Sequence, residues 1–346
     1  MLYKSILIIK RGALGDMLAG TAAILAIRKQ YPWAHLCLLS DGFAFDICPA
    51  GTIVDEIIDE RIFLKNKLGY FKLLGLLRRR KFDLIINLRW VSEVSGLLTL
   101  LGGSEYTAGA GTWWLRKLFT FSPSLSREEA NEHEYLLNLR IVQAIEVQTK
   151  KPQLFINISN EDKKWADDFF SIKNINPSEV LIITPIASTP LKAWPAERFV
   201  QIGNQFIKEF NAKVLITYSP SDMEQARAVH TSILGSLLAP KTTINQLAAL
   251  VAKVSLCLCN NSGIMHVAYS VETPVVCINT SIGWAPYGDW NVAVTQLPDQ
   301  PSQIDNRRLT NEQTFELLKQ ISVERVWNAL SAKWKSLDQI KQNIKW

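Results

Sequence analysis

Short apolar runs alternate with amphipathic segments along most of the chain. The runs Ser5–Lys10 and Leu84–Leu88 are typical of buried strands, and Val180–Thr184 and Val254–Cys259 repeat the pattern in the second half. The segment Leu18–Gln30 carries apolar residues every three or four positions, as an amphipathic helix does. Strands that alternate with helices predict an α/β fold with parallel sheets and helices on both faces.

The length of the chain predicts more than one domain. A chain of 346 residues is too long for one ordinary hydrophobic core. We predict an N-terminal domain over residues 1–155, a second domain over residues 156–321, and a helical tail over residues 322–346 that packs back toward the N-terminal domain.

The composition indicates a soluble globular protein. Hydrophobic residues make up 48% of the chain and charged residues 20%. No apolar run reaches the roughly 18–20 residues that span a bilayer, and the N-terminus lacks a signal-peptide pattern, so we expect a cytoplasmic protein. The five cysteines are odd in number and lack framework or zinc-site spacing, which predicts buried free thiols.

The formal net charge of +6 suits an anionic partner, but it does not choose among nucleotide, glycan, membrane and nucleic acid. Two stretches mix basic and aromatic residues, Lys65–Lys81 and Gly111–Phe121. They fit either segments that lie on an anionic membrane or ordinary packed segments with a solvated basic face. The basic residues belong to no known nucleic-acid-binding module, so no nucleic-acid partner is expected.

Three polar loops follow predicted strands: Arg11–Asp16, Pro185–Pro195 and Asn260–His266. The carboxyl ends of parallel strands form the ligand crevice of such sheets, and free N–H groups at a helix N-terminus bind phosphate there. Gly12 and Gly15 permit a tight turn, but their spacing is neither the dinucleotide fingerprint nor a P-loop, which weakens an oxidoreductase hypothesis.

Four ordered segments carry a resemblance to a known family. They are RGALGDM at Arg11–Met17, STPLKAWP at Ser188–Pro195, NNSGIMHVA at Asn260–Ala268 followed by ETPVVCI, and SVERVWNAL at Ser322–Leu330. Together they resemble the heptosyltransferase group of family 9 glycosyltransferases. The resemblance implies a GT-B fold, in which two Rossmann-like domains face each other across an interdomain cleft.

The resemblance also implies an activity. Family members transfer a sugar from an ADP-linked donor to an acceptor hydroxyl, with inversion, without a metal and without a separate cofactor. We therefore expect heptose transfer from ADP-heptose to a lipopolysaccharide-core or related glycan, with Asp16 as the general base. Helix capping is the structural alternative for Asp16. The expected donor-binding residues are Ser188, Thr189, Lys192, Asn261, Ser262, Gly263 and His266.

The prediction of the acceptor-binding residues is motivated by charge and aromatic content. We expect an anionic, lipid-linked glycan to be held by Gly15, Arg78, Arg79, Arg80, Trp113 and Arg116. Association with the cytoplasmic face of the inner membrane stays open.

Two of the predicted donor-binding residues, Asn261 and His266, also allow a different interpretation. The family pattern D-[ST]-G-x-x-H has Asp where this chain has Asn261, and Asn keeps hydrogen bonding but lacks the negative charge. This departure leaves open a different donor sugar, or donor binding without transfer. The alternative for His266 is a structural histidine in the core or on the surface of the helix.

Overall fold

The computed structural model divides the chain into two compact units, unit 1 over Met1–Asn157 and unit 2 over Ile158–Trp346. The structure describes residues 3–63, 67–89, 92–111, 114–125, 132–148, 151–280, 291–295 and 310–344.

Unit 1 contains a five-stranded sheet in which every pair is parallel, in the order β3-β2-β1-β4-β5. The strands are β1 Ser5–Ile9, β2 His35–Ser40, β3 Glu56–Asp59, β4 Leu84–Asn87 and β5 Tyr106–Gly109. The helices are α1 Leu14–Gln30, α2 Gly42–Ile47, α3 Lys67–Arg80, α4 Glu93–Leu101 and α5 Glu134–Gln143.

Helices α3 and α4 cover one face of this sheet. Leu73 and Leu77 of α3 and Leu98 of α4 join one core cluster with the sheet residues Leu7 and Ile85. Helix α1 is buried on most sides and packs against α5. Right-handed crossovers place α1, which leads from β1 to β2, on the opposite face from α4, which leads from β4 to β5.

Unit 2 contains a six-stranded parallel sheet in the order β11-β10-β9-β6-β7-β8. The strands are β6 Val180–Thr184, β7 Lys213–Ile216, β8 Leu237–Leu238, β9 Leu256–Asn260, β10 Val275–Ile278 and β11 Val292–Val294. The helices are α6 Asn160–Ile172, α7 Ala196–Phe210, α8 Met223–Ser232, α9 Ile244–Val251, α10 Gly263–Ser270, α11 Asn311–Gln320 and α12 Val323–Ile344.

The segment predicted as a separate helical tail is part of unit 2. Val326, Leu330 and Trp334 of α12 are buried in the unit 2 core, and the Trp334 ring lies 4.8 Å from that of Phe206 on α7. The apolar face of α12 is therefore used within unit 2, which is a physical reason to extend this unit to the end of the chain.

The five cysteines are free and buried, as predicted. Burial raises the pKa of the Cys37 and Cys48 thiols to about 12, so both stay protonated at neutral pH. Over the described ranges, none of the helices combines the length and the apolar character needed to cross a membrane.

Candidate functional site

Asp16 lies at the point in unit 1 where the strand order reverses. It is in the first turn of α1, which follows β1, and Arg89 follows the neighbouring strand β4. Arg89 Nη1 is 3.5 Å from Asp16 Oδ1, and the other carboxylate oxygen accepts the Ala13 N–H at 2.9 Å. Ligands of open parallel sheets bind at such reversals. Asp16 therefore caps its helix and also presents a carboxylate at the expected ligand edge.

Gly12 makes this arrangement possible. Its φ is +135°, and a Cβ atom there would lie 2.8 Å from Asp16 Oδ2 and 2.9 Å from Arg89 Nη1. Any other residue would have to displace the carboxylate or the guanidinium. The contact between Asp16 and Arg89 therefore requires glycine at position 12.

The electrostatics of Asp16 are set by burial and four charged or polar neighbours. Burial and the nearby Glu134 carboxylate raise the pKa of Asp16, while Lys10, Arg89 and the Ala13 N–H oppose this shift. Lys10 is fully buried, and its Nζ lies 2.5 Å from Glu134 Oε1 and 3.3 Å from the Leu88 carbonyl oxygen. A carboxyl with a raised pKa is a stronger base once ionised, which suits proton abstraction.

Sequence reasoning missed both Arg89 and the buried Lys10–Glu134 pair. Arg89 is 32% exposed, and nothing in its local sequence marks it, because its role comes from the adjacency of β1 and β4. Lys10 only ends a strand pattern in the sequence, and nothing there marks it as a site residue. Its side chain passes Gly20, where an added Cβ would lie 2.8 Å from Lys10 Cε.

The predicted acceptor-binding residues do not form one group. Gly15 adjoins Asp16 in α1, and Arg116 is exposed in the 3-10 helix Leu115–Leu118 that follows β5 at the same sheet edge. Trp113 lies outside the described residues.

The arginines at 78–80 lie at the amino ends of the strands, whereas Asp16 lies at the carboxyl ends, so the structure does not bring them together with Asp16. Helix α3 returns the chain from the carboxyl end of β3 to the amino end of β4, a run of about 20 Å for its 14 residues. Arg80 pairs with Glu56, the first residue of β3, at 2.5 Å, and Arg78 Nε donates to the Leu101 carbonyl at 2.8 Å. Arg79 is exposed beside them.

The predicted donor-binding loops meet at the corresponding reversal in unit 2. The loop 185–195 follows β6, and Asn261–Gly263 follow the neighbouring strand β9. Asn260, which is fully buried, connects the two loops. Its Oδ1 accepts the Trp194 N–H and its Nδ2 donates to the Pro185 carbonyl, both at 2.9 Å.

Sequence reasoning missed Asn260, because the family motif begins at its neighbour Asn261. One side chain holds both ends of the loop that carries the predicted phosphate-binding residues. Trp194 anchors the same loop in the core, where its Nε1 donates to the Ile321 carbonyl at 2.9 Å. The K-x-W-P segment is therefore fixed at its tryptophan.

The loop leaves polar groups available at the sheet edge. Ser188 and Lys192 are exposed, and Ser262 and Gly263 are half-buried at the start of α10. Within the described residues, the buried hydroxyl oxygen of Thr189 has no hydrogen-bond partner. Together with the N–H groups that begin α10, these residues offer positive charge and hydrogen-bond donors to an anion.

His266 and Asn261 contact the protein itself. His266 is 3% exposed and packs edge-on against the Tyr269 ring, with ring centroids 5.8 Å apart. Burial lowers the pKa of His266 to about 4, so the ring is neutral at pH 7, and this placement favours its structural alternative. The Asn261 amide donates to Asn279 Oδ1 at 2.8 Å, a bond that an aspartate at 261 would not donate.

A cavity of about 680 Å³ adjoins the loop within unit 2. It lies between α7 and α8, with Phe315 of α11 also at its wall, and its polar lining includes Ser188, Glu197 and Asp222. Ser188 is the predicted donor-binding residue that reaches it. Among the residues whose positions are described, no group of three His, Cys, Asp or Glu side chains is arranged to hold a metal ion.

Two protein relatives match most of the chain. Lipopolysaccharide core heptosyltransferase OpsX of Haemophilus influenzae is 25% identical over 303 residues, which are 84% of each chain. Lipopolysaccharide heptosyltransferase 3 of Escherichia coli is 25% identical over 297 residues, which are 80% of this chain and 84% of that one.

Solved structures confirm the GT-B fold of two Rossmann-like sheets. The family 9 glycosyl transferase of Veillonella parvula superposes with a TM-score of 0.81 at 23% identity and covers 96% of this chain and 98% of that one. The ADP-heptose lipopolysaccharide heptosyltransferase II of E. coli gives a TM-score of 0.70 at 21% identity and covers 96% and 99%.

The family itself follows from the sequence profile. The profile of glycosyltransferase family 9 (heptosyltransferase) matches residues 70–314, which is more than two thirds of the chain. The loops at both strand-order reversals carry the motifs expected of this family. The chain therefore belongs to glycosyltransferase family 9.

Proposed function

We propose that this glycosyltransferase moves heptose from ADP-heptose to a hydroxyl of a lipopolysaccharide-core acceptor, with inversion and without a metal ion. The proposal combines the family with two sets of residues, one in each unit. The two curated relatives are named as lipopolysaccharide heptosyltransferases, and a solved structure of E. coli heptosyltransferase WaaC holds ADP-2-deoxy-2-fluoro heptose.

The observation that carries the proposal is the setting of Asp16. Its carboxylate lies at the strand-order reversal of unit 1 and is 21% exposed. Burial raises the pKa of Asp16, and the Arg89 guanidinium, 3.5 Å away, opposes this shift. In the proposed reaction, Asp16 accepts the proton of the acceptor hydroxyl as its oxygen attacks the anomeric carbon. Arg89 limits how far burial raises the pKa and so keeps the carboxylate ionised.

The leaving group determines the role of unit 2. As the bond from the anomeric carbon to the diphosphate oxygen breaks, negative charge develops on ADP. Lys192 supplies a positive charge, the Thr189 hydroxyl supplies a donor, and the N–H groups at the start of α10 supply a positive dipole end. These groups perform the charge neutralisation for which other transferases use a divalent cation.

Inversion follows from direct displacement. The acceptor oxygen attacks from the face opposite the departing diphosphate, so one bond forms as the other breaks and the anomeric configuration changes. In this scheme Asp16 takes up a proton and forms no bond to the sugar.

The test combines a variant with product analysis. With ADP-heptose and a core acceptor, the wild type should give a product of inverted anomeric configuration, as judged by NMR, and its rate should be unchanged by EDTA. Asp16→Asn should lower kcat by about a thousandfold or more while donor affinity stays the same. Substantial turnover of Asp16→Asn would exclude Asp16 as the base, and a loss of rate in EDTA would contradict the metal-independent mechanism.

A second candidate is a related protein that uses another donor sugar or binds a donor without transfer. The hydrogen bond from Asn261 to Asn279 favours it, since the family carboxylate at this position is absent. A thermal-shift screen with ADP-, UDP-, GDP- and CMP-sugars distinguishes the nucleotides, because a ligand that binds only the folded state raises its apparent stability. Stabilisation by ADP-sugars without turnover on any acceptor would support this candidate.

A further inference from the structure

The outer side of α3 and α4 forms an exposed surface of unit 1. Both helices bury one side against the sheet through Leu73, Leu77 and Leu98. The 3-10 helix Leu115–Leu118 adjoins α4. We call the exposed residues of these three helices, together with Trp114, the α3–α4 face; its apolar members are Leu68, Phe71, Val94, Leu97, Leu101, Trp114 and Leu118.

Direct contacts make the α3–α4 face continuous. Arg78 on α3 donates to the carbonyl of Leu101, the last residue of α4, at 2.8 Å. On the other side of α4, Gly96 leaves room for Leu115, because an added Cβ would lie 3.0 Å from Leu115 Cδ1. The three helices therefore share one surface.

Apolar side chains lie on this surface at helical spacing. Val94, Leu97 and Leu101 are three and four residues apart on α4 and are 40%, 41% and 46% exposed. Phe71 of α3 is 72% exposed. Contiguous apolar patches on soluble proteins mark interaction sites, whereas isolated exposed apolar residues are ordinary.

The charges of the α3–α4 face are almost all positive. Its exposed cations are Lys72, Arg78, Arg79, Arg116 and Lys117. Arg80 differs from them because it is paired with Glu56. Glu93 is the one acid in the sequences of the three helices. A partner that matches this surface is apolar where α4 lies and anionic around it.

We propose that the α3–α4 face docks on an anionic phospholipid bilayer. Apolar side chains of α4 and Phe71 enter the headgroup boundary, while the surrounding cations contact lipid phosphates. This use of lipid headgroups gives the arginines at the amino edge of the sheet a role that does not require contact with Asp16. Docking also brings a lipid-linked acceptor to unit 1, a purpose that rests on the proposed function, whereas the binding itself does not.

Vesicle co-sedimentation of the full chain tests the proposal. The probes are vesicles of phosphatidylglycerol and phosphatidylcholine in equal parts, and vesicles of phosphatidylcholine alone. We expect binding to the mixed vesicles that weakens about tenfold in Lys72→Glu/Arg79→Glu and in about 0.5 M NaCl. Leu97→Ser/Leu101→Ser should weaken it by a similar factor, because it removes the apolar contacts.

The matched control is Ile172→Ser/Leu234→Ser. These two side chains are 84% and 79% exposed in unit 2, so the control removes the same kind of side chain outside the α3–α4 face and should bind vesicles as the wild type does. Failure of the wild type to bind the mixed vesicles, or equal losses in the control, would overturn the proposal.

Sedimentation equilibrium and a transfer assay separate the remaining outcomes. A wild-type dimer that Leu97→Ser/Leu101→Ser converts to a monomer would assign the face to a second copy of this chain and overturn membrane docking. Transfer to a lipid-free core oligosaccharide should be unchanged in this variant. If the wild type transfers no sugar but binds the vesicles, the proposed function fails and the docking surface stands.

Discussion

Arg89 and Asp16 meet at 3.5 Å although they are far apart in the chain, because β4 and β1 are neighbours and both side chains follow the carboxyl ends of these strands. The guanidinium favours the charged form of the carboxyl, while burial and Glu134 favour the neutral form. The net effect is a pKa of Asp16 above its ordinary value. The balance between these groups sets the pH at which Asp16 becomes available as a base.

Arg89→Ala should move the acid limb of the pH profile of kcat/KM to higher pH. A base works only when ionised, so activity falls as the pH drops through the pKa of Asp16, and this pKa is already raised. Removing the Arg89 charge removes one of the contributions that lower the pKa, so the loss of activity should begin at a higher pH. The measurement is kcat/KM as a function of pH, which reports the pKa of Asp16 in the free enzyme.

Arg89→Lys is the control for the charge. It keeps a cation near Asp16 and should leave the acid limb near its wild-type position, even if kcat falls. An acid limb that does not move in Arg89→Ala would contradict the role of Arg89 as the charge that keeps Asp16 ionised.

Gly12→Ala should affect activity much more than an ordinary glycine substitution in a loop. The added Cβ would lie 2.8 Å from Asp16 Oδ2, so the carboxylate must move. Because a displaced catalytic group slows the reaction, kcat should fall by about 100-fold. Gly51→Ala is the matched control, since Gly51 also has positive φ, +88°, but an added Cβ meets no atom within 4 Å.

Both glycine variants should cost about 1–2 kcal/mol of unfolding free energy through backbone strain. Chemical denaturation measures this cost, and kcat with saturating donor measures the catalytic effect. Equal kcat values in the two variants would show that the space beside Gly12 has no role in positioning Asp16.

Hydrophobic periodicity predicted the class of the fold because buried parallel strands are short apolar runs. It placed β1, β4, β6 and β9 and the loops after them. It did not predict strand order, which depends on tertiary contacts and decides that Asp16 meets Arg89 and that Asn261 lies beside the loop 185–195. For the same reason it did not predict that Arg78–Arg80 lie away from Asp16, since charge content does not say at which end of the strands a helix ends.

The segment Leu154–Ile158 shows a different limit. Its apolar residues are typical of a short strand, but the structure has none there. The Phe155 N–H donates to Thr21 Oγ1 and the Asn157 N–H to the Ile47 carbonyl, so this backbone is satisfied by helices of unit 1. A short apolar run can be buried against helices as well as in a sheet.

Asn260→Ala should weaken both the fold of unit 2 and donor binding. It removes two hydrogen bonds and leaves the Trp194 N–H and the Pro185 carbonyl without their partner in the interior, at a cost of about 2–4 kcal/mol. The freed loop should raise the Kd for ADP by about tenfold, because Ser188 and Lys192 lose their fixed positions. Urea unfolding and calorimetric titration of ADP measure the two effects.

Asn261→Ala is the comparison for Asn260→Ala. It removes the single bond to Asn279 from a half-buried side chain and should cost less stability, about 1 kcal/mol. If both variants lose the same stability and bind ADP as the wild type does, Asn260 does not hold the loop.

Asn261→Asp tests whether this position sets the donor preference. The substitution restores the carboxylate of the family motif and abolishes the bond that Asn261 donates to Asn279, so it places a negative charge at the start of the predicted donor-binding turn. If Asn261 discriminates between sugars through their hydroxyls, the ratio of kcat/KM for ADP-heptose to that for ADP-glucose should change by about tenfold.

Asn174→Asp makes the same charge change at an exposed turn of unit 2 and should leave the ratio unaltered. A ratio that is the same in the wild type and both variants would show that donor choice is made elsewhere, and the cavity beside Ser188, with Glu197 and Asp222 in its wall, is then the next place to substitute.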